Sequence, residues 1–152
     1  MSGCLFCRIA ARSEPAHLVL ETDHVVGFLD SRPVFKGHVL LVTRRHVGAL
    51  TELPDELLVP FFSATRAVAA AVRDSLGAQG SFVAMNNVVS QSVPHLHAHV
   101  VPRTKGDGLR GFFWPRTRYL DAGEALAYAV QLRNTLTPQL SDEREDAADG
   151  SR

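Results

Sequence analysis

The stretch Gln91-Ser92-Val93-Pro94-His95-Leu96-His97-Ala98-His99-Val100-Val101-Pro102-Arg103 sets the reading of this chain. From His95 to Pro102 the residues alternate, and side chains on a β-strand alternate between its two faces. His95, His97 and His99 therefore point one way, while Leu96, Ala98 and Val100 point the other. A solvated polar face explains a lone strand histidine well enough. Three at period two, with Gln91-Ser92 before them and Arg103 after, point to a surface in use. Imidazole serves two chemistries near neutral pH: it binds zinc, and it acts as nucleophile or acid–base group.

Both chemistries find residues. Cys4 and Cys7 supply two thiolates at C-x-x-C spacing, His46 lies just past an apolar strand, and His95 begins the histidine strand. Together they make a Cys₂His₂ set, and a closed tetrahedral site of that kind makes zinc structural rather than catalytic. Redox chemistry at the same C-x-x-C spacing and free thiols on a mobile terminus are the alternatives for the cysteines. His97 and His99 are then left for chemistry.

Outward from the histidine strand, the pattern is mixed helix and strand. Residues 4–12 read as a turn or helix start. Residues 17–21 and 24–29 form a hairpin across Thr22-Asp23, and residues 30–37 are a loop punctuated by Pro33 and Gly37. The run His-Val-Leu-Leu-Val-Thr at 38–43 is a central strand. A long helix follows, with Leu57, Leu58, Phe61, Phe62, Thr65, Val68, Ala69, Val72 and Leu76 as one apolar stripe; it starts or kinks near Pro60 and ends at Gly77. Residues 81–85 are a further strand, 86–92 a loop, and 122–136 a shorter helix. The basic, aromatic stretch 103–119 has no period; its Phe113-Trp114 and Arg110, Arg116 and Arg118 fit a cover over the site or ordinary core and surface. A single domain over 1–140 is expected, with a disordered acidic tail over 141–152.

Composition narrows the function. The 152 residues carry sixteen basic and sixteen acidic side chains, so no global field attracts a nucleic acid. With 45% hydrophobic and 21% charged residues the chain is ordinarily globular. No apolar run approaches ~18 residues, so no membrane span is expected. The N-terminus lacks a signal-peptide pattern, which places the protein in the cytoplasm, where a structural disulfide is disfavoured.

The segment 91–103 closely resembles the signature of the histidine triad (HIT) superfamily of nucleotide hydrolases and transferases. Phe28-Leu29-Asp30, Pro33, Gly37-His38-Val39-Leu40-Leu41-Val42 and His46 follow the family order, and Cys4-Leu5-Phe6-Cys7-Arg8-Ile9 looks like the zinc knuckle of its bacterial branch. The resemblance covers residues 4–103. It implies an α+β fold, an antiparallel sheet of about five strands with one long and one shorter helix, paired into a homodimer. It implies an AMP-containing purine nucleotide as substrate, a nucleoside phosphoramidate or dinucleoside polyphosphate, with His97 attacking the α-phosphorus to give a covalent nucleotidyl-histidine that water cleaves. His99, Ser92 and Gln91 would supply donors to the phosphoryl oxygens, Ser92 or Gln91 near the leaving group. His38 would lie behind the triad, Asp30 would accept from the ribose hydroxyls, and Asn86 or Asn87 would approach the phosphate. Structural Zn²⁺ would sit on Cys4, Cys7, His46 and His95.

Some positions also fit plainer roles. Asp30, followed by Ser31-Arg32-Pro33, suits a turn, and His38 an ordinary strand. The loop Asn86-Asn87-Val88-Val89-Ser90 is shorter than the family's and lacks its glycine. Three rival functions keep the same residues: a non-catalytic nucleotide-binding or zinc-stabilised interaction protein, a nucleotidyl transferase, and a hydrolase built around catalytic zinc.

Overall fold

Continuous apolar runs and glycine-marked turns lay down five strands, and a computed structural model describes residues 3–109 and 117–149 of the chain. The elements run α1 (Leu5–Ala10), β1 (Leu18–Glu21), β2 (Val25–Leu29), β3 (Val39–Thr43), a 3₁₀ turn (Leu50–Glu52), α2 (Asp55–Leu76), β4 (Gly80–Ala84), β5 (His97–Arg103) and α3 (Ala122–Asp149). The strands form one antiparallel sheet in the order β1-β2-β3-β5-β4. The α+β architecture expected of the sequence is present.

Cross-strand register sorts the side chains. Leu41 pairs with Ala98 and Val39 with Val100, and these residues pack with Leu96 and the buried face of α2. Leu40 pairs with His99 and Val42 with His97, on the opposite face, where Phe6, Ile9, Val26 and Phe28 gather under α1. The alternation at 96–100 is as the sequence predicts. His95 is different, because β5 begins only at His97 and His95 lies in the turn before it. Its ring still packs on Phe6, at 6.1 Å between centroids, so it shares the α1 side with His97.

Pro60 neither starts α2 nor ends it. The helix begins at Asp55, after Pro54, with Asp55 and Glu56 in the first turn where acidic side chains favour the helix dipole. Pro60 forfeits one backbone bond, and burial of Leu57, Phe61, Ala64, Thr65, Val68 and Val72 offsets it. Leu58, Phe62 and Leu76 fall outside this stripe and stay exposed. Gly77, at φ 68°, closes the helix in the left-handed conformation that glycine adopts without penalty. Gly37, at φ 92°, does the same for the turn into β3.

The chain divides into two compact units, residues 1–109 and 110–152. The second contains α3, which is longer than the helix expected over 122–136. It runs on to Asp149, through residues assigned to a tail, where alanine, glutamate and arginine are good helix formers. Of the 103–119 stretch, Arg103 ties down its own turn by donating to Asp107; Phe113-Trp114, Arg110 and Arg116 lie outside the described residues. No helix among the described residues is long and apolar enough to cross a membrane.

Candidate active site and metal clamp

The pairing Phe28–Leu40–His99 across β2, β3 and β5 places two apolar side chains beside a histidine. They line a cleft of about 860 Å³, within the ~300–1,000 Å³ of small-ligand sites. Its floor carries His97 and His99; Asp30, Arg32 and Ser92 add polar groups, and Leu5, Phe6 and Ile9 of α1 form an apolar wall.

Hydrogen bonds assign the protons. The His95 carbonyl can only accept, so His97 donates to it from Nδ1 at 2.7 Å. In this tautomer the lone pair lies on Nε2. His99 is fixed from further back. The Val34 backbone N–H donates to His38 Nδ1 at 3.2 Å, which puts the His38 proton on Nε2. That proton is given to His99 Nδ1 at 3.0 Å, and His99 is left with a donor at Nε2. Asp30 Oδ2, 3.5 Å from His38 Nδ1, lies too far for a hydrogen bond. Burial holds His38 below its ordinary pKa against the upward pull of Asp30. Burial also pushes His99 down to about 4, the His97 and His38 rings adding to the effect. Both rings of the relay are neutral at pH 7.

The second cluster lies behind α1. Cys4 Sγ is 3.4 Å and Cys7 Sγ 3.6 Å from His95 Nδ1, and Cys7 Sγ is 3.3 Å from His46 Nδ1. Tetrahedral zinc with its usual Zn–S and Zn–N bonds separates S and N by about 3.5 Å, so this donor set fits. His95 is fully buried; its Nε2–H donates to the Thr43 carbonyl at 2.9 Å, leaving Nδ1 for the sulfurs. Burial lowers its pKa to about 4, partly countered by that carbonyl, with His46 and His97 lowering it further. Burial and the neighbouring Cys4 hold the Cys7 thiol above its usual range, a penalty that a bound cation reverses. These four residues could hold a metal ion. Asp30, His38 and His99 also cluster; the imidazole relay brings His38 to His99, and the Asp30 backbone N–H, donating to the His38 carbonyl at 3.0 Å, brings Asp30 beside them.

The predicted site residues thus separate. His97, His99, Ser92 and Asp30 meet in the cleft, and His38 stands behind His99. Asp30 takes the turn role, its Oδ1 accepting the Arg32 N–H at 2.8 Å, and the residue also lines the cleft. Gln91 and Asn86 do not reach it. The Gln91 amide donates to the Gly48 carbonyl at 2.8 Å and accepts from the Val88 N–H at 2.8 Å, so both its ends hold the loop. Asn86 donates to the Ser90 carbonyl, and Asn87 accepts from the Leu50 N–H at 2.7 Å. Where the sequence lacks glycine, Val88 and Ser90 themselves take φ of 67° and 60°. The apolar wall of Leu5, Phe6 and Ile9 escapes sequence reasoning. Its signal is the C-x-x-C spacing itself, since Leu5 and Phe6 lie between the two cysteines that face His95, and Phe6 packs on His97.

The HIT domain family pattern matches residues 11–106, and the chain belongs to the HIT family. It is 40% identical over 115 residues to the Protein hit of Bacillus subtilis, covering 74% of this chain and 79% of that protein. The adenosine 5'-monophosphoramidase hnt1 of Schizosaccharomyces pombe is 31% identical over 115 residues, covering 74% and 84%. Among solved structures, a Zn-bound histidine triad family protein from Mycobacterium smegmatis superimposes with a TM-score of 0.68 at 32% identity, over 88% of this chain and 98% of that one.

Proposed function

We propose that the chain hydrolyses AMP-linked substrates, nucleoside phosphoramidates or dinucleoside polyphosphates, at the α-phosphorus through a nucleotidyl intermediate on His97. The observation that carries this is the His97 Nδ1–H···O=C bond to His95, which commits the lone pair to Nε2 in a residue that lines the cleft. The family relation to a monophosphoramidase supports the substrate class.

In this reading Nε2 attacks phosphorus, a P–N bond forms, and the bond to the leaving group breaks with its electron pair. The leaving amine or phosphate departs with a proton from its surroundings, Ser92 being the hydroxyl at hand. Water then attacks the same phosphorus, and His97 leaves as the neutral ring once water's proton is lost. Charge gathering on the non-bridging oxygens is met by the His99 Nε2–H, oriented by His38. Asp30 faces the ribose diol, and the Phe6, Ile9 and Phe28 wall takes the purine. Gln91 and Asn86 act one step away, by holding the loop that presents Ser92.

Zinc on Cys4, Cys7, His46 and His95 would act as a clamp on α1, since four protein donors leave it no open position. Reduced thiolates in this role suit a cytoplasmic protein. A homodimer is proposed through the edge strand β4 and the adjoining α2, where Leu58, Val59, Phe62 and Val83 are exposed.

A fluorogenic adenosine phosphoramidate tests the activity. The wild type should release the fluorophore, and His97→Ala should lose on the order of 10⁴-fold in kcat while still binding AMP. Equal turnover by the two proteins would favour the non-catalytic reading or a different nucleophile.

A further inference from the structure

The six-residue helix α1 serves two sites at once. Cys4, its N-cap, and Cys7 face His95 and His46, while Leu5, Phe6 and Ile9 line the cleft. A helix this short has little stability of its own, so tertiary ties set its position. At its C-terminal end the Arg44 guanidinium donates to the Ala10 carbonyl at 2.8 Å and to the Thr22 carbonyl at 2.6 Å. At its N-terminal end the tie is the pair of sulfurs. Between them Phe6, buried to 5% exposure, packs edge-on against Phe28 at 5.5 Å and His97 at 5.1 Å between ring centroids.

His95 makes a second connection. Its side chain faces the sulfurs and its carbonyl accepts the His97 Nδ1–H. An ion held by the four donors would therefore brace the residue that fixes the nucleophile's tautomer. It would also seat the helix that walls the nucleotide cleft.

We propose that the metal clamp and the nucleotide cleft are energetically linked, with α1 as their shared wall and Phe6 as the positioning residue that carries the linkage to His97. The proposal rests on the nucleotide reading above. A metal that seats α1 completes the apolar wall; a nucleotide packed on Phe6 and Ile9 holds Cys4 and Cys7 where they ligate. Linkage of this kind is reciprocal, so each ligand must tighten the other by the same factor.

Two binding measurements test it. Calorimetric titration with AMP is made on zinc-loaded protein and on protein stripped by a chelator. Zinc affinity is measured by chelator competition with and without AMP. Stripping should weaken AMP binding about fivefold or more, and AMP should tighten zinc by the same factor. In Phe6→Ala, zinc binding without AMP should persist, and at AMP concentrations raised until they saturate the variant the factor should fall to near one. Equal AMP affinity in loaded and stripped protein of unchanged circular dichroism overturns the proposal, as does an undiminished factor in Phe6→Ala. Where stripping or that variant unfolds the chain, zinc affinity with and without AMP in Phe6→Leu against wild type decides, and equal tightening in both overturns it. If zinc-loaded wild type gives no AMP binding, the nucleotide reading itself falls, and the linkage with it.

Discussion

At the scale of single residues, a carbonyl and two neutral imidazoles decide where protons sit. His97 donates backwards to His95, and His38 donates forwards to His99, so the two rings in the cleft present opposite characters: one lone pair, one N–H. Neither assignment is legible in the sequence, because both depend on partners met through folding. What the sequence does show is that His97 and His99 share a face. The buried neutral state of His99 has a consequence for stability. Its pKa is about 4 in the fold against about 6.5 in the unfolded chain. Between those values the unfolded state binds more protons, so stability rises with pH across the window. The full contribution, at most about 3 kcal/mol, is present above pH 6.5 and is lost as pH falls towards 4. Urea midpoints should accordingly be lower at pH 5 than at pH 7, with a smaller drop in His99→Asn. An equal drop in that variant would remove His99 from the explanation.

At the scale of elements, local period is a good guide, and long-range partnership is legible at the Cys₂His₂ set and little elsewhere. The hairpin β1–β2, the central β3, the stop of α2 at Gly77 and the alternation along β5 all follow from spacing and turn residues. Two features do not. Gln91 looks like a phosphate donor in sequence, yet its amide is spent on Gly48, 43 positions away. The apolar wall joins α1 to β2 and β3, whose residues sit far apart in the chain. The stripe of α2 was partly legible: Phe61 and Val68 are in it, Leu58 and Phe62 are not, and Ala64 joins it. Phe61 is fully buried in the cluster that includes Leu41, Leu96 and Ala98. Phe61→Ala should cost about 3–5 kcal/mol in denaturant unfolding, whereas Phe62→Ala should cost well under half as much. Equal costs would mean that the helix presents a different face to the sheet.

At the scale of the molecule, the unit of residues 1–109 holds every group assigned to the cleft and the clamp. Among the described residues its sheet ends at β4, and α2, which packs on that strand, exposes Val59 at 74% and Phe62 at 43%. Large apolar side chains beside an unpaired strand are a liability in a monomer and an asset in an interface. The proposed homodimer therefore gives a direct expectation. The wild type should sediment as a dimer, and Phe62→Glu should shift it towards monomer at unchanged circular dichroism. A wild type that sediments as a monomer at micromolar concentration would contradict that interface.

The proposed attack of His97 on phosphorus is most directly tested by intact mass and peptide mass spectrometry on acid-free quenched reactions with an adenosine phosphoramidate. One adenylyl group is expected on the wild-type chain during turnover, localised to the peptide containing His97 and absent from His97→Ala. Turnover without any adduct in a rapidly quenched burst, or an adduct mapped to another residue, would contradict it.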